Sequence, residues 1–226
     1  MERHFELELE KLNKRITRMG NLVAMQIHET MDALIRVDSE SAEVIIERDN
    51  QVDELDVKID KLCQRIFALT QPVATDLRLI MASLKMNNDL ERMGDHAVGI
   101  AKKIEGLSEF PGIVKELMID ELALLTEQTV KDVVNILNTR DTVLVKDIFE
   151  DAACIKERVH SVTAKILEEM TKKTDVIVVA TNLLIILNLM ERIAGYSMNI
   201  AESIIFLVEG KMVKHSGLYK DITPES

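Results

Sequence analysis

Two pairs of acidic residues are the part of the sequence best suited to chemistry. Asp49 and Asp53 form one pair, and Glu91 and Asp95 form the other. Residues four apart share one face of an α-helix, so each pair presents two carboxylates to the same side. Clustered carboxylates repel one another and are costly to desolvate unless protons, arginines or metal ions compensate them. The pairs therefore predict a cation site if their helices lie side by side.

The first pair belongs to a longer acidic row, and the second interrupts an apolar stripe. Asp56 and Asp60 continue the row in steps of three and four residues. We expect the stripe around Glu91 to be a packed seam that polar groups break. At helical spacing it runs through Leu77, Ile80, Leu84, Asn88, Glu91, Asp95 and Val98.

The elements that must position these residues are predicted to be long helices. Aromatic residues make up only 3% of the chain, which contains eight glycines and three prolines, and this composition favours helix over sheet. If the second and third helices run antiparallel through a turn near Pro72, the two acidic pairs lie at similar heights. Polar breaks divide the chain into six helices at roughly 3–36, 39–70, 74–106, 112–138, 141–172 and 175–210.

An internal repeat relates the two halves of the chain. "LERMGDHAVGIAKKI" begins at Leu90 and "MERIAGYSMNIAESI" begins 100 residues later, so that Glu91 recurs as Glu191 and Asn88 as Asn188. We therefore predict an all-α fold of two pseudo-symmetric three-helix bundles. The predicted bounds are 1–107 for the first repeat, 112–216 for the second and 217–226 for a flexible tail.

Bulk properties exclude several classes of protein. A net charge of −11 without a basic stripe of interleaved aromatics argues against nucleic acid as a ligand. The apolar run at 176–190 is shorter than the roughly 20 residues of a membrane span, so we expect a buried helix and no transmembrane segment. Cys63 and Cys154 lie far apart and read as reduced thiols. With a charged N-terminus, these features predict a cytoplasmic protein.

Three segments of the sequence resemble the PhoU family of phosphate-uptake regulators. They are "FELELEKLNKRITRMGNLVAMQI", "PVATDLRLIMASLKMNNDLERMGDHAVGIAKKI" and "MERIAGYSMNIAESIIFLVEGKMVKH". The resemblance implies two three-helix bundles and E/DxxxD motifs that bind multinuclear iron or zinc clusters. It also implies a homodimeric, non-enzymatic regulator that acts between two partners. These are the ATPase subunit of the phosphate ABC transporter and the phosphate-responsive sensor histidine kinase, both damped when phosphate is plentiful.

The family motifs map unevenly onto the two copies. Carried over by residue, the first metal site uses Asp49, Asp53, Glu91 and Asp95, with Asn88 and Asp56 as possible support. In the second copy Gly195 replaces the aspartate, and the position matching Asp53 is Ile155 or Lys156. The residues left for a degenerate second site are Asp151, Asn188 and Glu191.

Other readings of the same residues remain open. The acidic row is also typical of a solvated helix face, Glu91 could pair with Arg92 or Arg78, and the two asparagines could set helix register. The chain could be a paralogue that regulates another transporter, or a metal-free helical dimerisation module. A di-metal oxidase is disfavoured, because Gly94 and Ala194 stand where its Glu-x-x-His pairs need histidine.

Overall fold

The computed structural model describes residues 2–110 and 112–210, which are helical apart from short connections. A single 3₁₀ turn, Glu105–Leu107, extends the fourth helix, and the described residues contain no β-strand. The α-helices are α1 (Glu2–Arg36), α2 (Ser39–Arg48), α3 (Asn50–Leu69), α4 (Ala74–Ile104), α5 (Ile113–Glu116), α6 (Ile119–Thr139), α7 (Val145–Lys172) and α8 (Ile177–Glu209).

Two of the six predicted helices are divided. Asp49 separates α2 from α3 but keeps helical dihedral angles, φ −60° and ψ −29°, so the chain is interrupted for one residue only. The backbone N–H of Val52 donates to the Asp49 carbonyl at 2.9 Å, which starts the new helix. The predicted helix at 112–138 is divided by Met118, whose φ of +57° lies in the left-handed region. Neither break contains glycine or proline, the residues that mark breaks in a sequence.

A buried apolar face along α1 shows why this helix lies at the centre of the first half. Seven fully buried apolar side chains recur every three or four residues along it, which is the period of one helix face. This face contacts α3, α4 and α6. The residues are Leu12, Ile16, Met19, Val23, Ile27, Met31 and Leu34.

Helices from the two halves pack against each other in antiparallel pairs. Along α1 and α6, Asn138 Nδ2 donates to Asn21 Oδ1 at 3.0 Å, and His28 Nδ1 lies 2.9 Å from Glu127 Oε1. Along α4 and α8, the rings of His96 and Tyr196 have centroids 5.5 Å apart. Positions 96 and 196 are equivalent in the internal repeat. One continuous apolar core therefore includes residues from both halves.

Among the described helices, α8 is long and apolar enough to cross a membrane by length and composition alone. A core helix of a soluble protein passes the same test, so this finding is weak evidence for a span. In the structure α8 packs against α4, α6 and α7. Its side chains Leu183, Leu187 and Ile193 are fully buried in the core.

The predicted domain bounds stay predictions. The turn Glu105–Leu107 and the short helix α5 fall where the two repeats are expected to meet. The predicted tail at 217–226, and the end of the second repeat after residue 210, lie outside the described residues.

Val37 ends α1 in a conformation that suits glycine better than a β-branched residue. Its φ is +53°, and the Asp38 N–H reaches back to the Ala33 carbonyl at 2.9 Å, as in a Schellman cap. We expect Val37→Gly to be more stable than Val37→Ala by about 1 kcal/mol, because only glycine adopts this φ without strain. Urea unfolding measures the difference. At exposed Glu43 inside α2 the same pair should reverse its order, since glycine is the weaker helix former there.

Candidate functional site

Helix α3 separates an apolar face from an acidic one. Val52, Leu55 and Ile59 are buried against the core, as the sequence pattern predicts. The carboxylates occupy the neighbouring face, where Asp53 is exposed and Asp56 is half-buried. This face meets α4.

Asn87 joins the acidic row of α3 to α4. Its Nδ2 donates to Asp56 Oδ1 at 2.7 Å and lies 3.2 Å from Asp60 Oδ1. Asn87 is only 1% exposed, and its Oδ1 has no hydrogen-bond partner among the described residues. The contact fixes the antiparallel register of α3 and α4.

The interruption at Asp49 lies beside the middle of α4. Gln26 Nε2, from α1, donates to Asp49 Oδ1 at 2.8 Å. Gly94 faces the same spot, since a Cβ added there would lie 3.5 Å from Asp49 Oδ1 and 3.3 Å from Gln26 Oε1. Gln26 Oε1 is buried and has no hydrogen-bond partner in the described part of the chain. Because Gly94 has no side chain, a small space remains there, and oxygen atoms of Gln26 and Asp49 line it.

The four carboxylates that the sequence singled out, Asp49, Asp53, Glu91 and Asp95, interact electrostatically across this interface; we call them the acidic cluster. Burial raises the pKa of Asp53, and the charges of Asp49 and Asp95 raise it further. Burial also raises the pKa of Glu91, with further increases from Asp95, Asp56 and Asp53 that outnumber the opposing effect of Arg92. The structure thus brings the two predicted pairs together. The negative charges of the two pairs repel one another, and this repulsion is only partly offset by positive charge.

Arg92 supplies some of the missing positive charge. Its Nε lies 3.4 Å from Glu91 Oε2, and its Nη1 lies 3.6 Å from Asp95 Oδ2. Arg92 and Asp95 are exposed and Glu91 is half-buried, and ion pairs this open to water are worth little. Within residues 2–110 and 112–210, no three or more His, Cys, Asp or Glu side chains are arranged to hold one metal ion. The donor chemistry and the repulsion suit a cation, whereas the side-chain positions do not surround one.

The expectation of a packed seam through Glu91 is wrong. Asn88 and Asp95 are exposed and Glu91 is half-buried, so this stripe lies at the edge of the helix interface. A neighbouring stripe is buried instead. It begins at Ile80, and from there its positions precede the predicted ones by one residue, as Asn87 precedes Asn88. It contains Ile80, Ser83, Asn87, Leu90, Gly94, Ala97, Ala101 and Ile104.

Sequence reasoning missed three buried polar residues on α1 and α4, namely Gln26, Asn87 and Asp89. Asn87 and Asp89 flank Asn88, and the structure buries the flanking pair rather than Asn88. Asp89 Oδ1 accepts from Asn199 Nδ2 of α8 at 3.4 Å. Gln26 carried a usable signal, because it stands between the core positions Val23 and Ile27 on α1.

The residues left for a second site are spread more widely. Asn188 is exposed and its Oδ1 accepts from Arg192 Nε at 3.1 Å. Burial raises the pKa of Asp151, followed by the charges of Asp132 on α6 and of its own helix neighbours. Glu191 is half-buried on α8. Space is open at Gly195, where an added Cβ would meet nothing within 4 Å.

Two alignments of the repeats are possible, and they place either Ile155 or Lys156 at the position equivalent to Asp53. Ile155 is fully buried, while Lys156 is exposed. Neither side chain is a carboxylate, so α7 has no counterpart of Asp53 beside Asp151, whose acidic neighbours on the same helix are Asp147 and Glu150.

Comparison with known proteins identifies the family. The model of the PhoU domain matches the chain twice, at residues 16–104 and 119–204. The chain belongs to the PhoU family. The resemblance inferred from the LERMGDHA segment is therefore confirmed, and PhoU proteins are regulatory accessory proteins rather than enzymes.

Relatives in the PhoU family align with almost the entire chain. A phosphate-specific transport system accessory protein PhoU homolog of Clostridium acetobutylicum is 34% identical over 215 residues, which cover 92% of this chain and 96% of that protein. A homolog of the same description from Aquifex aeolicus is 35% identical over 208 residues, with 92% and 94% covered.

Solved PhoU structures share the fold. The crystal structure of PhoU from Pseudomonas aeruginosa superposes with a TM-score of 0.85 at 30% identity, covering 92% of this chain and all of that one. The phosphate transport system regulatory protein PhoU from Streptococcus pneumoniae gives 0.82 at 29% identity, with 92% and 99% covered. The predicted all-α bundle is confirmed.

Proposed function

We propose that this PhoU protein regulates phosphate uptake as a metal-binding adaptor. One observation supports the regulatory role above all: relatives that align over nine-tenths of the chain are named accessory proteins of a phosphate-specific transport system.

The acidic cluster is the proposed metal site. It would hold iron or zinc through Asp49, Asp53, Glu91 and Asp95, and several ions sharing these carboxylates would form a multinuclear cluster. The oxygen-rich donor set, the elevated pKa values and the unpartnered Gln26 Oε1 favour a cation there. Binding requires exposed Asp53 and Asp95 to turn inward, because the side chains do not already surround an ion.

The bound ion would act structurally. It supplies positive charge that offsets the repulsion between α3 and α4, and carboxylates from both helices hold them in one register. Asn88 and Asp56 would support the site. The second set, Asp151, Asn188 and Glu191, would stay without a full cluster because Gly195 and Ile155 or Lys156 replace carboxylates.

The proposed partners are the ATPase subunit of the phosphate ABC transporter and the phosphate-responsive sensor histidine kinase. We propose that a PhoU homodimer at the cytoplasmic side of the membrane damps both when phosphate is plentiful. A long helical bundle with a charged exterior suits docking on other proteins. A net charge of −11 would steer it to basic partner surfaces.

A metal-free dimerisation module is the second candidate, and one contact favours it. Arg92 already lies within 3.6 Å of two carboxylates of the acidic cluster, so part of their charge is paired without a metal ion. In that case the cluster is a solvated face. A paralogue that regulates another transporter remains a variant of the leading proposal.

Elemental analysis of the untagged protein, purified without chelator, tests the metal proposal. We expect at least one iron or zinc ion per chain by inductively coupled plasma mass spectrometry, with most of it lost in Asp95→Ala. Copurification with the transporter ATPase subunit is measured on the same samples. Asp175→Ala, which removes an exposed acid elsewhere, is the control and should keep its metal.

The outcomes separate the candidates. Metal loss together with weakened ATPase binding supports the adaptor. If neither the wild type nor Asp95→Ala contains stoichiometric metal, and both bind the ATPase subunit equally, the protein is a regulator that needs no metal. Failure to bind the ATPase subunit in any form would contradict the phosphate-transport proposal itself.

A further inference from the structure

A basic groove lies between α1 and α3, apart from the acidic cluster. It encloses about 450 Å³, within the range of about 300–1,000 Å³ that is usual for small-molecule sites. Five basic residues and one acid, Glu54, line it, together with two uncharged residues. The basic residues are Lys11, Lys14, Arg15, Arg18 and Lys58.

Helix geometry aligns four of these cations. Lys11, Lys14, Arg15 and Arg18 follow the spacing i, i+3, i+4 and i+7, so they share one face of α1. Seven residues of helix span about 10 Å. The fifth cation, Lys58, stands across the groove on α3, and the Arg15 guanidinium donates to its backbone carbonyl.

Part of this charge is not neutralised by the protein. Lys14 pairs with Glu10, and Lys58 Nζ lies 2.7 Å from Glu54 Oε2. In the described part of the chain, Lys11 and Arg18 form no ion pair. The groove is thus locally positive on a chain whose net charge is −11.

The basic row of α1 is not repeated on α6. Helix α6, the counterpart of α1, carries four acidic residues and a single basic one, Lys131. Lys131 pairs with Glu127. No aromatic residue lines the groove, so it lacks the interleaved basic and aromatic pattern that is typical of a nucleic-acid site.

We propose that the basic groove binds a small phosphate-bearing anion with several charges, such as a phosphate chain or a nucleotide. Arginine and lysine together bind phosphate oxygens through charge-assisted hydrogen bonds, with arginine giving two at once. A row of cations about 10 Å long matches a short chain of phosphates better than a single ion. This proposal goes beyond the regulatory role and does not depend on metal in the acidic cluster.

The shape of the groove favours a small molecule over a membrane. The cations line a concavity, and Arg15 is half-buried within it, whereas a lipid surface contacts protruding residues. Glu54 at the wall would also repel an anionic membrane or an acidic protein segment laid along α3. A compact anion can avoid it.

Isothermal titration calorimetry on the full-length protein tests the proposal, with tripolyphosphate, ATP, inorganic phosphate, citrate and sulfate as separate probes. We expect tripolyphosphate or ATP to bind more tightly than citrate or sulfate. The variant Lys11→Ala with Arg18→Ala should weaken binding about tenfold, which corresponds to about 1.4 kcal/mol. Binding of ATP alone would assign a nucleotide, and binding of tripolyphosphate and ATP alike would assign the phosphate chain.

A charge-matched control separates a site from general attraction. Lys156→Ala with Lys165→Ala also removes two exposed cations, from α7, and should leave binding unchanged. Equal weakening by both double variants, equal binding of sulfate, or binding only to anionic lipid vesicles would overturn the proposal. Far-UV circular dichroism of both variants verifies that the fold is retained.

Discussion

Removing two charges from the acidic cluster is expected to stabilise the metal-free protein and to abolish its stabilisation by metal. The variant is Asp53→Asn with Glu91→Gln, which keeps the size of both side chains. Each carboxylate has an elevated pKa, caused first by burial and then by its acidic neighbours. Ionised at neutral pH, they therefore oppose folding, and the amides remove that opposition.

The pH dependence gives this prediction a second readout. A carboxyl group whose pKa is raised by folding binds its proton more tightly in the folded state, so its contribution favours folding at low pH. That contribution is lost as the pH rises through the elevated pKa of the folded state. The stability advantage of the double variant over the wild type should therefore be largest near neutral pH and should shrink in acid.

Added metal is expected to reverse the order of stability of the two proteins. A ligand that binds only the folded state at about 100 times its dissociation constant adds about 2.7 kcal/mol of stability. Thermal unfolding of chelator-treated protein, with and without added zinc, should show this gain for the wild type and not for the variant. Asp175→Asn with Glu105→Gln removes two exposed acids elsewhere and should respond to zinc as the wild type does.

A less stable double variant at neutral pH would contradict this account. It would mean that the ion pairs of Arg92 with Glu91 and Asp95 outweigh the repulsion. The acidic cluster would then be a stabilising surface network that needs no metal ion.

Leu90→Ala is expected to lower the free energy of unfolding by about 3 kcal/mol. Leu90 is fully buried on α4, which packs against α1, α2, α3 and α8, so the removed methyl groups leave a cavity that few neighbours can fill. Urea unfolding measures the loss. The substitution does not touch the carboxylates, so the metal content of the folded protein should be unchanged.

Leu69→Ala is the matched control. Leu69 is 69% exposed at the end of α3, and its loss should change stability by no more than about 0.5 kcal/mol. Similar effects at the two leucines would show that α4 is not the centre of the core.

The fold was largely predictable because helix periodicity and the internal repeat carry it. The recurrence of Glu91 and Asn88 after 100 residues locates both α4 and α8, and the core face of α3 follows from Val52, Leu55 and Ile59. The one-residue interruption at Asp49 was not predictable, because its dihedral angles remain helical and no breaker residue marks it.

The candidate site was predictable in its carboxylates and not in its surroundings. Spacing within α3 and α4 brings Asp53 and Asp95 together, because a short turn fixes the relative heights of neighbouring helices. Gln26 comes from α1, and no local pattern states which turn of α1 faces Asp49. The buried stripe of α4 was misplaced by one residue because Asn87 is polar yet faces the core.

The antiparallel pairing of α1 with α6 and of α4 with α8 has a consequence for how the two halves can diverge. In a dimer of identical single repeats, every substitution appears twice, so a lost carboxylate would be lost from both sites. Here the two halves share a core but are separate segments of one chain, so the second can carry Ile155 or Lys156 where the first carries Asp53. Because the two halves belong to one chain, each molecule has one half that carries the acidic cluster and one half that lacks it. A symmetric assembly of identical single repeats could not combine the two kinds of half in this fixed ratio.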